Sequence, residues 1–186
     1  MKIIAFGHRK FVGKDTAARY LHQQLVTKYQ HNKKIVKVGF ADKVKDISYQ
    51  LFSWAGLQES YIYDEYPENK EMLLHKIGKT PRQLWIGVGN GIRTCYDNVW
   101  LDYVFNNYFA DIMIISDLRF PAEANGILKR DGLLYRIDCP WTPVVTDGAD
   151  EPLANYDKWT GILKNYRKDN VQYLYSQIDK IIEEHF

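Results

Sequence analysis

Cysteine is almost missing from this chain: 2 occur in 186 residues, Cys95 and Cys139, with no CxxC spacing. That scarcity argues against a disulfide framework and a cysteine-built zinc site, and it fits a reducing cytoplasm. Long apolar runs are missing too. The stretches 2–6 and 112–115 have only the length of strands, so neither a signal-peptide core nor a membrane span is expected, and the chain reads as soluble and unexported. There is no internal repeat and no low-complexity tract. With 46% hydrophobic, 15% aromatic and 26% charged residues, the composition also lacks the signature of a disordered chain. A single compact domain over 1–186 is the prior.

Charge is nearly balanced overall, at +2, but not along the chain. Residues 1–50 carry 11 Lys/Arg against 3 Asp/Glu, and the remainder carries 14 against 20. The basic N-terminal part points to an anionic ligand there. Lys28, Lys33, Lys34 and Lys37 are read as solvating a helix end and the strand after it, which leaves the lysines of the first loop to be explained.

Hydrophobic periodicity orders the elements. A buried strand over 2–6 ends at Gly7, and Ala17, Leu21 and Leu25 predict a helix from about Asp15 to Tyr29. A second strand at 35–40 precedes a helix opened by Asp42. Residues 58–79, rich in tyrosine and acid, read as an inserted, partly exposed segment. Thr80-Pro81 then gives a helix cap and a proline at the first helical position. The most hydrophobic strand, 112–115, should be central, and Pro121 opens a further helix ended by Gly132. Strands at 133–137 and, weakly, 161–163 precede a last helix capped by Asp169 or Asn170. The alternation predicts a three-layer α/β fold with a mostly parallel sheet, whose ligands bind at the carboxyl ends of the strands.

Between the first strand and first helix lies Gly7-His8-Arg9-Lys10-Phe11-Val12-Gly13-Lys14-Asp15-Thr16. Gly13 allows a phosphate close to the backbone, the helix N-terminus offers N–H groups, and Lys14 adds a point charge for β and γ phosphates. The strict pattern GxxxxGK[ST] would put glycine at 8 and a hydroxyl at 15. Here those positions hold His8 and Asp15, with Gly7 and Thr16 one place outside.

The run Gly13-Lys14-Asp15-Thr16 resembles the GKDT of the deoxynucleoside monophosphate kinases encoded by bacteriophages. Phe40-Ala41-Asp42-Lys43-Val44-Lys45 is similar to that family's FADPLK, and Pro81-Arg82 through Gly89 and Arg93 to its PR…LG…R. Trp100 matches a tryptophan that follows. Asp117-Leu118-Arg119-Phe120-Pro121-Ala122-Glu123 is similar to its DVRFPNE. The motifs span about 3–125 in order. Departures fall at 148–151, where Gly148-Ala149-Asp150-Glu151 replaces a His-x-Ser-Glu stretch, and at Ile86, where the family has glutamine.

The resemblance implies one P-loop nucleoside monophosphate kinase-like domain with an acceptor or lid-like insert at about 58–110. It implies transfer of the γ-phosphate of ATP to a deoxynucleoside 5′-monophosphate, with Mg²⁺, in the cytoplasm of an infected bacterial host. The acceptor oxygen is already ionised, so cations and alignment are needed rather than a strong base. Lys14, Asp117 and Arg119 are the expected catalytic residues. Gly7, Lys10, Gly13, Lys14, Asp15 and Thr16 are the expected phosphate contacts, and Asp15 and Asp117 the Mg²⁺ carboxylates, directly or through water. Arg82 and Arg93 are expected as clamps, since guanidinium bonds phosphate oxygens in pairs, and Asp42, Lys45 and Glu123 as further acceptor contacts. A homodimer is left open, and neither a membrane nor a nucleic-acid partner is expected. Two rival readings stand beside this one: a related kinase acting on a modified base in DNA, and a nucleotide-binding interaction protein without turnover.

Overall fold

The structure is a computed structural model that describes residues 1–30, 32–142, 152–166 and 171–186. In chain order the elements are β1 (Lys2–Gly7), α1 (Lys14–Tyr29), β2 (Ile35–Val38), α2 (Asp42–Phe52), α3 (Ser60–Glu65), α4 (Pro81–Cys95), α5 (Val99–Asn107), β3 (Ile112–Leu118), α6 (Pro121–Leu128), β4 (Leu133–Asp138), β5 (Gly161–Lys164) and α7 (Gln172–His185). They divide into two compact units, one of Met1–Gly39 with Val104–Phe186 and one of Phe40–Tyr103. The second therefore begins well ahead of the insert expected at 58.

The first unit is built on a five-stranded sheet in the order β2-β3-β1-β4-β5. Every neighbouring pair is parallel, so the sheet expected to be mostly parallel is entirely so. Strand β1 is its middle. The strand expected to be central, β3, lies beside it, still covered by a strand on each edge.

Side-chain alternation explains why both strands are apolar throughout. Ile4 and Phe6 of β1, with Ile112 and Ile114 of β3, share a buried cluster with Ala17, Ala18, Leu21 and Leu25 of α1 and with Leu174, Ile178, Ile181 and Ile182 of α7. The odd-numbered residues Ile3, Ala5, Met113 and Ile115 are just as buried on the opposite face, where Ile3 meets the Gly132 turn and Ile127 of α6. A sheet covered on both faces must be hydrophobic at every position, which is the continuous pattern of its inner strands. Helices α1 and α7 are tied by Tyr20, whose hydroxyl donates to Asp179 at 2.9 Å and whose ring stacks on Tyr175 at 3.9 Å.

The second unit is helical. At α4, Thr80 Oγ1 accepts from the Gln83 N–H at 3.2 Å and Gln83 Oε1 accepts from the Thr80 N–H at 3.0 Å, a reciprocal cap with Pro81 at the first helical position. Within the tyrosine-rich stretch the residues diverge. Tyr63 is buried and meets Trp85 edge-on at 5.1 Å, whereas Tyr61 and Tyr66 are exposed.

Several boundaries differ from the expected ones. Strand β2 stops at Val38, β3 runs on to Leu118, and α5 was not foreseen although Trp100, Leu101 and Val104 are all buried. The expected caps Asp169 and Asn170, and the segment 148–151, lie outside the described residues. Among the described residues no helix is long and apolar enough to cross a membrane.

Candidate functional site

The sheet order brings the ends of β1 and β3 together. The chain leaves β1 through α1 toward β2 on one side, and leaves β3 through α6 toward β4 on the other. The two connections pass one another on opposite faces of the sheet, so the carboxyl ends of β1 and β3 lie together where α1 and α6 begin, the edge at which open α/β sheets bind ligands. There Gly7 is in register with Leu118 of β3 and with Arg136 of β4, so the loop after Gly7 starts beside Asp117 and Arg119. The register also slips: Ala5 pairs with Ile115 but Gly7 with Leu118. Strand β3 thus carries an extra residue within Ser116–Asp117, and such a bulge redirects side chains at a strand end. Ser116 is buried and Asp117 half-buried.

The loop backbone is unusual at three places: φ is 100° at His8, 62° at Phe11 and 105° at Gly13. Only glycine enters that region without strain. Position 8 is where the strict pattern has glycine, and the conformation persists here with a histidine. Gly7 is required for a different reason, since a Cβ there would lie 2.7 Å from Trp159 Cη2 and 3.2 Å from Leu118 Cδ2.

Helix α1 starts at Lys14, and its first helical bond runs from the Ala17 N–H to the Gly13 carbonyl at 2.9 Å. The N–H groups of Lys14, Asp15 and Thr16 therefore precede the helical ladder at the positive end of the helix dipole. Lys14 is buried, and its ammonium folds back over the loop to donate to the carbonyls of His8, at 2.9 Å, and Arg9. Such an arrangement of N–H groups around a lysine suits an anion with several oxygens.

The ends of β4 and β5 support this loop, through residues that sequence reasoning missed. His8 is buried, with Nδ1 3.2 Å from the Ile137 carbonyl and 3.4 Å from Asp138 Oδ1. Burial, and then the charge of Arg136, hold its pKa below the ordinary 6.5, so the ring is neutral at neutral pH and Nδ1–H donates to Ile137. Asp138 in turn accepts from Arg136 Nε at 2.6 Å and Lys164 Nζ at 3.2 Å. Burial pushes that carboxyl up, but the two cations outweigh it and hold it below the ordinary carboxylate range. Asn165 Nδ2 donates to the Val12 carbonyl at 3.0 Å, while its Oδ1 is buried with no hydrogen-bond partner among the described residues. The signal for them in the sequence is the pair of polar endings to the last two strands, Asp138 and Lys164-Asn165.

The expected first-unit residues fall as follows. Asp15 is exposed on the first turn of α1, with Thr16 half-buried beside it and Lys10 half-buried in the loop. Asp117 lies inside β3 and is no helix cap, since the residue preceding α6 is Phe120. Arg119 follows the strand. Glu123 is buried, and its Oε2 accepts from the backbone N–H groups of Arg119 and Phe120, each at 3.1 Å, so it closes the start of α6 and fixes the Asp117–Phe120 turn. Among the described residues no group of three or more His, Cys, Asp or Glu could cage a metal.

The remaining expected residues belong to the second unit. Asp42 starts α2, and its Oδ1 is 3.9 Å from Lys45 Nζ, which lies 5.9 Å from the Trp85 ring centroid. Arg82 pairs with Glu71 through Nε. Arg93 is in the last turn of α4, near Gly89, and Trp100 Nε1 donates to the Gly89 carbonyl at 3.1 Å. The tryptophan and glycine of the sequence motif thus meet each other and brace α4.

No family model matches the chain. A protein of Acanthamoeba polyphaga mimivirus that carries the provisional name deoxynucleotide monophosphate kinase is 26% identical over 98% of this chain and 97% of its own length. Among solved structures, shikimate kinase from Aquifex aeolicus is 17% identical with a TM-score of 0.43, over 98% of this chain and 96% of that one. Shikimate kinase from Bacteroides thetaiotaomicron is 12% identical with a TM-score of 0.48, over 98% and 97%. The likeness to the viral relative covers 98% of the chain, where the motifs span about 3–125.

Proposed function

We propose that the chain transfers the γ-phosphate of ATP to a deoxynucleoside 5′-monophosphate, yielding the diphosphate and ADP. The observation that supports this reading is the register of Gly7 with Leu118, which starts the loop leading to Gly13 and Lys14 beside the end of β3, the strand that carries Asp117 and leads into Arg119. The viral relative's name supports the choice of acceptor.

The chemistry asks for little beyond position and charge. The donor's phosphates would lie on the N–H groups of Lys14 to Thr16, with Gly13 allowing close approach and the Lys14 ammonium, held by two loop carbonyls, giving its remaining proton and its charge to the β and γ phosphates. Arg119, carried by a turn that Glu123 fixes, would neutralise charge on the migrating group through paired bonds. Asp15 and Asp117 would hold Mg²⁺ through its waters, and that ion supplies charge neutralisation at the phosphates when bound. Asp42, Lys45, Arg82 and Arg93 are proposed for the acceptor, with Arg82 exchanging Glu71 for a phosphate.

The test is Lys14→Ala in a coupled ADP-release assay across the common deoxy- and ribonucleoside monophosphates, with duplex DNA as a further acceptor. Activity should require a monophosphate and should fall by roughly 100-fold or more in the variant. A folded Lys14→Ala protein with wild-type activity would remove the loop from the reaction, and activity with DNA alone would replace the acceptor.

A further inference from the structure

A side chain at φ 100° inside a phosphate-binding loop needs a cause, because a strained conformation lasts only where its surroundings over-determine it. At His8 the surroundings do so. The ring is buried, with 6% of its surface exposed, and Nδ1 sits against the Ile137 carbonyl at 3.2 Å. The neighbouring carboxylate of Asp138 is itself fixed by Arg136 and Lys164. On its backbone side, the His8 carbonyl accepts from Lys14 Nζ at 2.9 Å, and the same ammonium donates to the carbonyl of Arg9.

The far end of the loop is held in the same manner. Asn165, directly after β5, donates to the Val12 carbonyl at 3.0 Å and packs so closely that a Cβ on Gly13 would come within 2.8 Å of its Nδ2. The loop is therefore pinned at its entry to the end of β4 and at its exit to the end of β5. The GxxxxGK[ST] pattern would rely on a glycine at the first of these points.

We propose that His8 is a positioning residue: anchored on the Ile137 carbonyl beside Asp138, it holds the strained backbone that turns the His8 and Arg9 carbonyls toward Lys14 and so sets where the ammonium stands over a polyphosphate. Asn165 is the second pin. The proposal deepens the phosphotransfer reading and rests on it for its kinetic consequences, while its binding consequence stands apart. A neutral His8 fits the role, since Nδ1 then carries one proton for the carbonyl, and burial favours that form.

Two substitutions separate anchoring from folding. His8→Gly removes the strain together with the anchor, and His8→Asn keeps a donor in a residue that tolerates positive φ. Each would be compared with wild type for kcat and KM with ATP, for calorimetric affinity toward inorganic tripolyphosphate, and for thermal midpoint. The glycine variant should unfold no earlier than wild type, yet lose about tenfold or more in kcat and bind tripolyphosphate more weakly, with the asparagine variant within about threefold of wild type. Wild-type kcat and affinity in His8→Gly would overturn the proposal, as would an asparagine variant no better than the glycine one. If wild type forms no ADP with any monophosphate, the phosphotransfer reading fails on its own, and tripolyphosphate binding across the three proteins still decides the role of His8.

Discussion

Replacing Gly13 by alanine tests the loop geometry at its tightest point. At φ 105° a side chain strains the backbone by about 1–2 kcal/mol. The added Cβ would also sit 2.8 Å from Asn165 Nδ2. That nitrogen ends a flexible side chain, so it can withdraw, but withdrawal gives up its bond to the Val12 carbonyl, worth about 1 kcal/mol. Alanine restricts the unfolded chain and returns about 0.5 kcal/mol. The net loss is about 2 kcal/mol, or a midpoint lower by about 4–8 °C for a chain of this size. Urea unfolding of the single variant and of Gly13→Ala in an Asn165→Ala background would measure it. With Asn165 truncated, only the backbone strain remains, so the alanine should cost about 1 kcal/mol less there. Equal stability of Gly13→Ala and wild type, or strict additivity in the pair, would refute the geometry.

Other outcomes follow from the same site. Asp117→Asn should raise the Mg²⁺ concentration needed for half-maximal activity while leaving the thermal midpoint near wild type, because charge is lost and shape is kept; an unchanged Mg²⁺ titration would take Asp117 out of the metal site. Arg119→Lys keeps the charge but not the fork, and should lose about 2 kcal/mol of transition-state stabilisation in steady-state kcat/KM. Glu123→Ala removes two hydrogen bonds to the start of α6 and should destabilise by about 1–2 kcal/mol in urea unfolding.

What could be read from the sequence was what short stretches of chain decide for themselves. The apolar run of β1, the spacing of Ala17, Leu21 and Leu25, and the Thr80-Pro81 start of α4 each depend on neighbours within a few residues. The placement of Gly13 and Lys14 after the first strand was legible on the same grounds. Contacts between distant segments were not. His8 meets Ile137 and Asp138, and Val12 meets Asn165, so the support beneath the loop exists only once β4 and β5 have taken their places in the sheet. The bulge in β3 is likewise a property of its register with β1. Nor does hydrophobicity pick out the middle strand: β3 is the more apolar, yet β1 stands in the middle, because both are covered on two faces and both must be apolar throughout. Glu123 illustrates the remaining gap: its position in a motif drew attention to ligands, whereas its carboxylate is engaged with the backbone of the adjacent turn.

The central claim is that a phosphoryl group passes from a nucleotide held at the Gly13–Lys14 loop to a deoxynucleoside monophosphate. Incubating the wild-type chain with ATP labelled in the γ-phosphate, Mg²⁺ and each deoxynucleoside monophosphate, then separating the products, follows that group directly. Label should appear in a deoxynucleoside diphosphate, with at least one base accepted and with Lys14→Ala abolishing the transfer. Label that stays in ATP, or is released only as inorganic phosphate whatever the acceptor, would contradict the account.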